Sequence, residues 1–383
     1  MIKKIIKNVL HIPLYYFSYL IPKNKNLWII GGWSGMKFTD NSKYFFEYIN
    51  NNYSNIKIIW LTKSKDTFNQ LKQKGYKVEY AYSLKGYLLS MRAKVAIVSH
   101  SKLGDLNGYV LNKKTLFVQL WHGNPIKKIG YDTISSKKYK LNEKLKYIFP
   151  WLDSNYDVFC VTSDYVKKFF HSAFYINYDN IYVTGYPRNQ VLLENKNNVF
   201  KEKRIIYMPT YRDKTELELK LIDSLDFNKL NKFLEKNNIY LDIKLHPQSI
   251  LYKRLQNLTF SNIKLVDLED IYEFLYKYHL LITDYSSIYF DFLLLDRPVV
   301  LLPVDLEEYK NLRGIYQDYF KEFKEHIALN TDELIMHLNN IFNKKIDKYK
   351  TDRMILKKKY NDLTINQIFS ENVKQIIDKV INK

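Results

Sequence analysis

From Leu27 onward, short apolar runs alternate with longer amphipathic stretches, the pattern of a mostly parallel sheet covered by helices. The runs predict strands at 27–30, 57–61, 78–80, 95–99, 116–120, 157–161 and 181–184. A second series follows at 204–208, 240–245, 263–266, 279–283 and 299–302. Between them, Asn189 to Lys203 is rich in Asn, Lys and Glu and reads as an interdomain linker. The expectation is an α/β protein of two Rossmann-like, doubly wound domains facing a cleft, at 27–190 and 204–383. In such sheets ligand sites lie beyond the carboxyl ends of the strands. The stretch from about Lys344 onward predicts lysine-rich helix.

Residues 1–26 stand apart. They combine Lys3, Lys4 and Lys7 with Ile5, Ile6, Val9, Leu10, Ile12, Leu14, Phe17 and Leu20. No uninterrupted apolar run reaches the roughly 20 residues a spanning helix needs, and Pro13 with the tyrosines fits a cleaved signal poorly. The segment is expected to lie in a membrane interface; a terminal helix packed on the body is the alternative.

The net charge of +20 calls for an anionic partner: nucleic acid, an anionic lipid surface or a phosphorylated substrate. No nucleic-acid-binding motif accompanies the lysines, so nucleic acid is not expected. The chain has eight arginines against 52 lysines, so arginine marks places where a planar, two-pronged donor is wanted. The single cysteine, Cys160, cannot form an internal disulfide or a cysteine metal site.

Several polar clusters fall directly after predicted strands. Gly31-Gly32-Trp33-Ser34-Gly35 is either a ligand-approaching turn or a plain tight turn. Gln119-Leu120-Trp121-His122-Gly123-Asn124-Pro125 ends a strand in a constrained turn bearing an imidazole, suited to a general base or simply hydrogen-bonded into the turn. Lys244-Leu245-His246-Pro247 repeats the arrangement in the second half, so His122 and His246 are expected to face one another across the cleft. His100, also at a strand end, is a weaker candidate. Thr283-Asp284-Tyr285-Ser286-Ser287 leads into a helix, as an anion cradle or an ordinary serine cap. Met208-Pro209-Thr210-Tyr211-Arg212-Asp213, with Arg188, Arg297 and Arg313, places half of the arginines in suspect segments, for phosphate grip or structural ion pairs. No His-x-x-x-His pair, calcium-type loop or P-loop occurs, so catalysis is expected to rest on a base, fixed cations and backbone dipoles, with no metal and no cofactor.

Taken in order, these segments resemble the CDP-glycerol glycerophosphotransferases that build teichoic acids and related capsule polymers. The match rests on Trp121-His122-Gly123-Asn124-Pro125 with Lys127-Lys128, Gly185-Tyr186-Pro187-Arg188-Asn189, Pro209 to Asp213, Lys244 to Pro247, Ile282 to Ser287 with Phe290-Asp291-Phe292, Arg297-Pro298, and Tyr309 through Arg313-Gly314. Asp40-Asn41-Ser42-Lys43 also resembles the shorter members. The resemblance implies a GT-B-like fold with the nucleotide held mainly by the C-terminal domain. It implies His122 as base on an acceptor hydroxyl that attacks the β-phosphorus of CDP-glycerol, or a related CDP-polyol, and expels CMP. It implies His246, Thr210, Arg212, Asp284, Ser286, Ser287, Arg188, Arg297 and Arg313 on the donor, and Gly32, Trp121, Asn124, Lys127 and Lys128 on the acceptor side. The acceptor would be undecaprenyl-diphosphate-linked, at the cytoplasmic face of an anionic membrane reached by a peripheral enzyme. The basic, aromatic stretch Lys127 to Trp151, read from its residues alone, either meets that membrane or a lipid-diphosphate acceptor or is a solvated helix face. The shorter N-terminal region favours a primase or short-chain extender. A nucleotide-sugar glycosyltransferase of the same fold is the alternative.

Overall fold

The computed structural model describes residues 2–134, 136–212, 214–246, 248–255, 259–362 and 364–382. The chain divides into two compact units. Unit 1 comprises residues 1–122, 129–190 and 362–383; unit 2 comprises 123–128 and 191–361.

Unit 1 is built on a seven-stranded parallel sheet. Its strands are β1 (Asn24–Ile30), β2 (Lys57–Thr62), β3 (Val78–Tyr80), β4 (Ala93–Val98), β5 (Leu116–Gln119), β6 (Val158–Val161) and β7 (Ile181–Val183), in the order β3-β2-β1-β4-β5-β6-β7. The order reverses at β1, so the loops after β1 and β4 flank the topological switch point where ligands enter such sheets. Apart from the edge strand β3, the strands bury or half-bury apolar residues on both faces, as a sheet covered on both sides requires. Trp28, Ile30, Ile58, Trp60, Val95, Ile97, Val118 and Val158 are all buried in one cluster.

Unit 2 repeats the plan with six parallel strands: β8 (Lys203–Tyr207), β9 (Ile239–Ile243), β10 (Ile263–Leu265), β11 (Leu280–Thr283), β12 (Val299–Leu301) and β13 (His326–Ile327), ordered β10-β9-β8-β11-β12-β13. Its core joins Ile205, Tyr207, Leu241, Ile243, Leu280, Ile282 and Val300 to helix residues such as Leu230, Leu234, Leu334 and Leu338.

Three placements differ from the sequence expectation. The expected linker is in part a helix, Asn189–Glu194. The C-terminal helix Phe369–Ile381, expected with the second domain, belongs to unit 1, because Val373 and Ile377 are apolar at helical spacing and fill that core. Burying two such side chains is worth about 3–6 kcal/mol together. Strand β1 starts at Asn24, inside the segment expected to be separate.

The first helix, Ile2–Phe17, packs on unit 1 through one face. The Trp151 indole donates to Asn8 Oδ1 at 3.3 Å, His11 stacks on Tyr109 at 4.0 Å, and Tyr15 joins Tyr109, Phe149 and Trp151 in a small buried cluster. Its other face leaves Val9, Leu10, Tyr16 and Phe17 exposed, followed by Leu20. Among the described residues no helix is long and apolar enough to cross a membrane.

Candidate active site

In unit 1 three strand-end loops meet. The loop after β1 runs through Trp33, Ser34 and Gly35, all with positive φ. It passes so close to Asp105 that a Cβ on Gly31 would lie 2.5 Å from the Asp105 carbonyl oxygen, which only glycine allows. Gly32 abuts Ser42 and Ser99. Asp105 ties the loops after β1 and β4 together: its buried carboxylate accepts the backbone N–H groups of Ser34, Ser99 and His100 at 2.8, 2.9 and 2.7 Å. Burial nonetheless raises its pKa, against the pull of His100 and those three donors.

The loop after β5 carries His122. Trp121 takes a left-handed conformation, φ 57°, which costs a non-glycine residue on the order of 1–2 kcal/mol. Two side chains hold it there. Gln119 Oε1 accepts the Trp121 N–H at 3.0 Å, and Asn41 Nδ2 donates to the Trp121 carbonyl at 2.9 Å. Arg188 adds a clamp, donating to the His122 carbonyl at 3.1 Å and pairing with buried Asp40 at 2.6 Å. Burial opposes ionisation of Asp40, but Arg188, helped by His122, His100 and the Asn41 N–H, outweighs it and holds the pKa below the usual carboxylate range.

The His122 ring is fixed as well. Its Nδ1 lies 2.8 Å from the Ser99 carbonyl, an acceptor only, so Nδ1 carries the proton and Nε2 carries the lone pair. Trp121 stacks on the ring at 4.3 Å. Burial, then the neighbouring His100, pushes the His122 pKa down to about 3, so the imidazole is neutral near pH 7.

In unit 2 the corresponding loops follow β8, β9, β11 and β12. Arg212 is fully buried: Nε and Nη2 bond Asp305 at 3.1 and 2.8 Å, and Nη1 bonds Asp284 and the Thr210 carbonyl. Asp284 Oδ1 also accepts the Thr210 N–H at 2.9 Å, and Tyr285 donates to Asp305 at 3.0 Å. This is a closed network in which each buried charge has a partner. The guanidinium expected to grip phosphate therefore braces the loops after β8, β11 and β12. One atom in it stays unsatisfied. The Thr210 hydroxyl is buried without a hydrogen-bond partner among the described residues, which a bound ligand would remedy.

His246 sits beside Tyr211, ring centroids 4.9 Å apart. Its Nδ1 accepts the Gln248 N–H at 3.2 Å, which makes Nε2 the protonated nitrogen of the neutral ring. Ser286 and Ser287 are half-exposed at the start of a helix of five residues, Ile288–Phe292, so little dipole stands behind them. Neighbouring Asp213 and Pro247 lie outside the described residues.

The remaining candidates scatter. Arg297 donates to the carbonyls of Tyr276, Tyr278 and Lys196. Because Tyr278 and Arg297 precede β11 and β12, it lies at the amino ends of these strands, away from the loops that carry His246 and Asp284, and its donor role is corrected to a structural one. Arg188 serves the His122 turn in unit 1. Asn124, Lys127 and Lys128, expected with the first domain, group with unit 2, where Lys127 bridges Ile315 and the Lys128 N–H donates to Gly314 at 3.0 Å. Asn124 is buried, its amide facing the Tyr360 carbonyl at 3.4 Å. Arg313 ends the helix Leu306–Arg313 and is half-buried. Among the described residues no group of three or more His, Cys, Asp or Glu side chains could hold a metal ion. Sequence reasoning passed over Asp105, which no motif signals, and gave no role to Gln119 within the His122 cluster or to Asp40 and Asn41 within Asp40-Asn41-Ser42.

The profile of the CDP-Glycerol:Poly(glycerophosphate) glycerophosphotransferase family matches residues 14–378. Over 403 residues the chain is 29% identical to the teichoic acid glycerol-phosphate transferase of Staphylococcus aureus, covering 99% of this chain and 100% of that one. It is 31% identical over 369 residues to the teichoic acid poly(glycerol phosphate) polymerase of Bacillus spizizenii, 86% of each chain. A solved structure of the wall teichoic acid polymerase TagF shares the fold, with a TM-score of 0.78 at 23% identity over 100% of this chain and 98% of that one. The family match spans nearly the whole sequence, and the chain belongs to the CDP-glycerol:poly(glycerophosphate) glycerophosphotransferases.

Proposed function

We propose that His122 is the general base of this glycerophosphotransferase and that unit 2 holds the CDP-glycerol. Nε2 of His122 takes the proton of an acceptor hydroxyl, whose oxygen forms a bond to the β-phosphorus of CDP-glycerol. The bond from that phosphorus to the bridging oxygen breaks, and CMP leaves with the electron pair. The tautomer of His122 carries this reading: with Nδ1–H tied to the Ser99 carbonyl, the free lone pair points elsewhere. Its low proton affinity keeps it uncharged and ready, and the negative charge of a bound donor raises that affinity toward the working range. His246 Nε2–H, the Thr210 hydroxyl and the two serines supply donors to the diphosphate, whereas Arg212 and Asp284 hold their loops in shape.

The acceptor is proposed to be an undecaprenyl-diphosphate-linked chain, reached from the cytoplasmic face of the membrane, with the enzyme acting as a primase or short-chain extender. The open apolar face of the first helix supports a peripheral attachment: Leu10 is 67% exposed and Leu20 76%. Tyr147, 82% exposed, and Ile148 flank Phe149, which packs in the same cluster as Tyr15. The lysines of Lys127 to Trp151 add attraction to anionic headgroups.

The deciding assay offers CDP-glycerol and a defined lipid-linked acceptor and measures CMP release and product length. Release of CMP by wild type but not by His122→Ala supports the reading. Inert CDP-glycerol alongside turnover of a UDP-sugar would overturn it. Flotation with vesicles containing phosphatidylglycerol, lost on Leu10→Asp with Leu20→Asp, tests the attachment.

A further inference from the structure

His100, at the carboxyl end of β4, lays its ring almost parallel to that of His122, centroids 4.3 Å apart and planes 7° apart. Trp121 stacks on His122 at 4.3 Å, and Trp33 contacts His100 at 5.9 Å, so the rings run as a column Trp33, His100, His122, Trp121. His100 is itself anchored. Asp105 accepts its N–H at 2.7 Å, its carbonyl accepts from Gln119 Nε2 at 3.0 Å, and its Nδ1 lies 3.0 Å from Ser99 Oγ and 3.8 Å from Asp105 Oδ1. The same Gln119 side chain holds the Trp121 N–H, and the same Ser99 supplies the carbonyl for His122 Nδ1. One small set of groups thus fixes both imidazoles.

We infer that His100 is a positioning residue for glycerophosphate transfer, setting the plane of the His122 ring and opposing a second positive charge in the stack. The inference rests on the reading of His122 as base. Two imidazolium rings stacked at this spacing repel, so charge on one disfavours charge on the other. Asp105 faces His100; Asp40 and Arg188 face His122. The two carboxylates favour a proton in the column, whereas Arg188 and a charged His100 both disfavour one on His122. A neutral ring in place of His100 keeps the stack and removes the repulsion, so the two contributions separate by substitution.

The test measures kcat and KM for CDP-glycerol by CMP release from pH 4 to 9, with thermal melting as the check on folding, for wild type, His100→Phe, His100→Ala and His122→Ala. His100→Phe is expected to keep kcat within about threefold at pH 8 and to move the acidic limb of kcat, set by His122 in the donor complex, upward by on the order of one pH unit. His100→Ala, which opens one face of His122, is expected to lower kcat about 10-fold with KM nearly unchanged. If His100→Ala fails to fold, the shift in His100→Phe decides alone. Folded His100 variants with wild-type kcat and an unmoved acidic limb overturn the inference, provided His122→Ala is inactive. Turnover by His122→Ala would instead remove the base reading, and this inference with it.

Discussion

The two units hold their strand-end histidines in opposite tautomers. In unit 1 a carbonyl faces Nδ1 of His122 and leaves a lone pair at Nε2; in unit 2 an N–H faces Nδ1 of His246 and leaves a proton there. The same side chain becomes an acceptor in one place and a donor in the other, decided by a single backbone group. The surroundings differ in the same sense. The His122 turn is braced by a buried pair, Arg188 with Asp40, whereas the loops of unit 2 are braced by Arg212 between two aspartates. Phosphoryl transfer calls for both a proton acceptor and donors to the charge that develops, which are the roles proposed for these two histidines.

Substitution at the histidines should break that contrast most sharply. His122→Ala is expected to lower kcat by about 10³-fold while leaving CDP-glycerol affinity intact by calorimetry. His246→Ala is expected to weaken both, and unchanged affinity would remove it from the donor site. Arg212→Met leaves Asp284 and Asp305 buried without their cation. We expect a loss of about 3–5 kcal/mol in urea unfolding, against little loss for any exposed lysine pair. Thr210→Val removes a hydroxyl that has no partner among the described residues. Stability should hold or rise slightly, while KM for CDP-glycerol rises about 10-fold if a ligand satisfies that oxygen.

The smallest effect concerns pH and again differs between the units. The His122 pKa is depressed on folding, so the unfolded chain binds the extra proton. That contribution is present above about pH 6.5 and is lost as pH falls toward about 3. In unit 2, Glu325 is buried with Arg353 and Tyr289, and burial pushes its pKa up to about 8, Asp347 adding to the effect of burial and Arg353 opposing it. Its contribution is present below about pH 4.5 and is lost as pH rises through 8. Hydrogen exchange should therefore show unit 1 loosening first in acid and unit 2 first in alkali, with Glu325→Gln flattening the alkaline limb.

The alternation of apolar runs made twelve of the thirteen described strands legible, because most carry a run of buried apolar residues between polar, amphipathic stretches. The thirteenth, His326–Ile327, is two residues long and offers no run to read. His122 and His246 were visible because a histidine between a strand and a glycine or proline is unusual. Asp105 was not, since its work is done through backbone N–H groups, one of them on a loop about 70 residues earlier in the chain. Arginine scarcity pointed to important guanidiniums but not to their partners. Arg212 and Arg188 brace loops, and Arg297 caps carbonyls at the amino ends of its strands, distinctions that depend on which strand end each residue occupies.

Because helix Phe369–Ile381 completes the core of unit 1, unit 2 is spliced into the chain between two portions of its neighbour. During synthesis the first sheet must wait, with part of its greasy surface uncovered, until the second has emerged from the ribosome. A gene divided near residue 190 should accordingly yield a first half that aggregates unless the final helix is supplied alongside it.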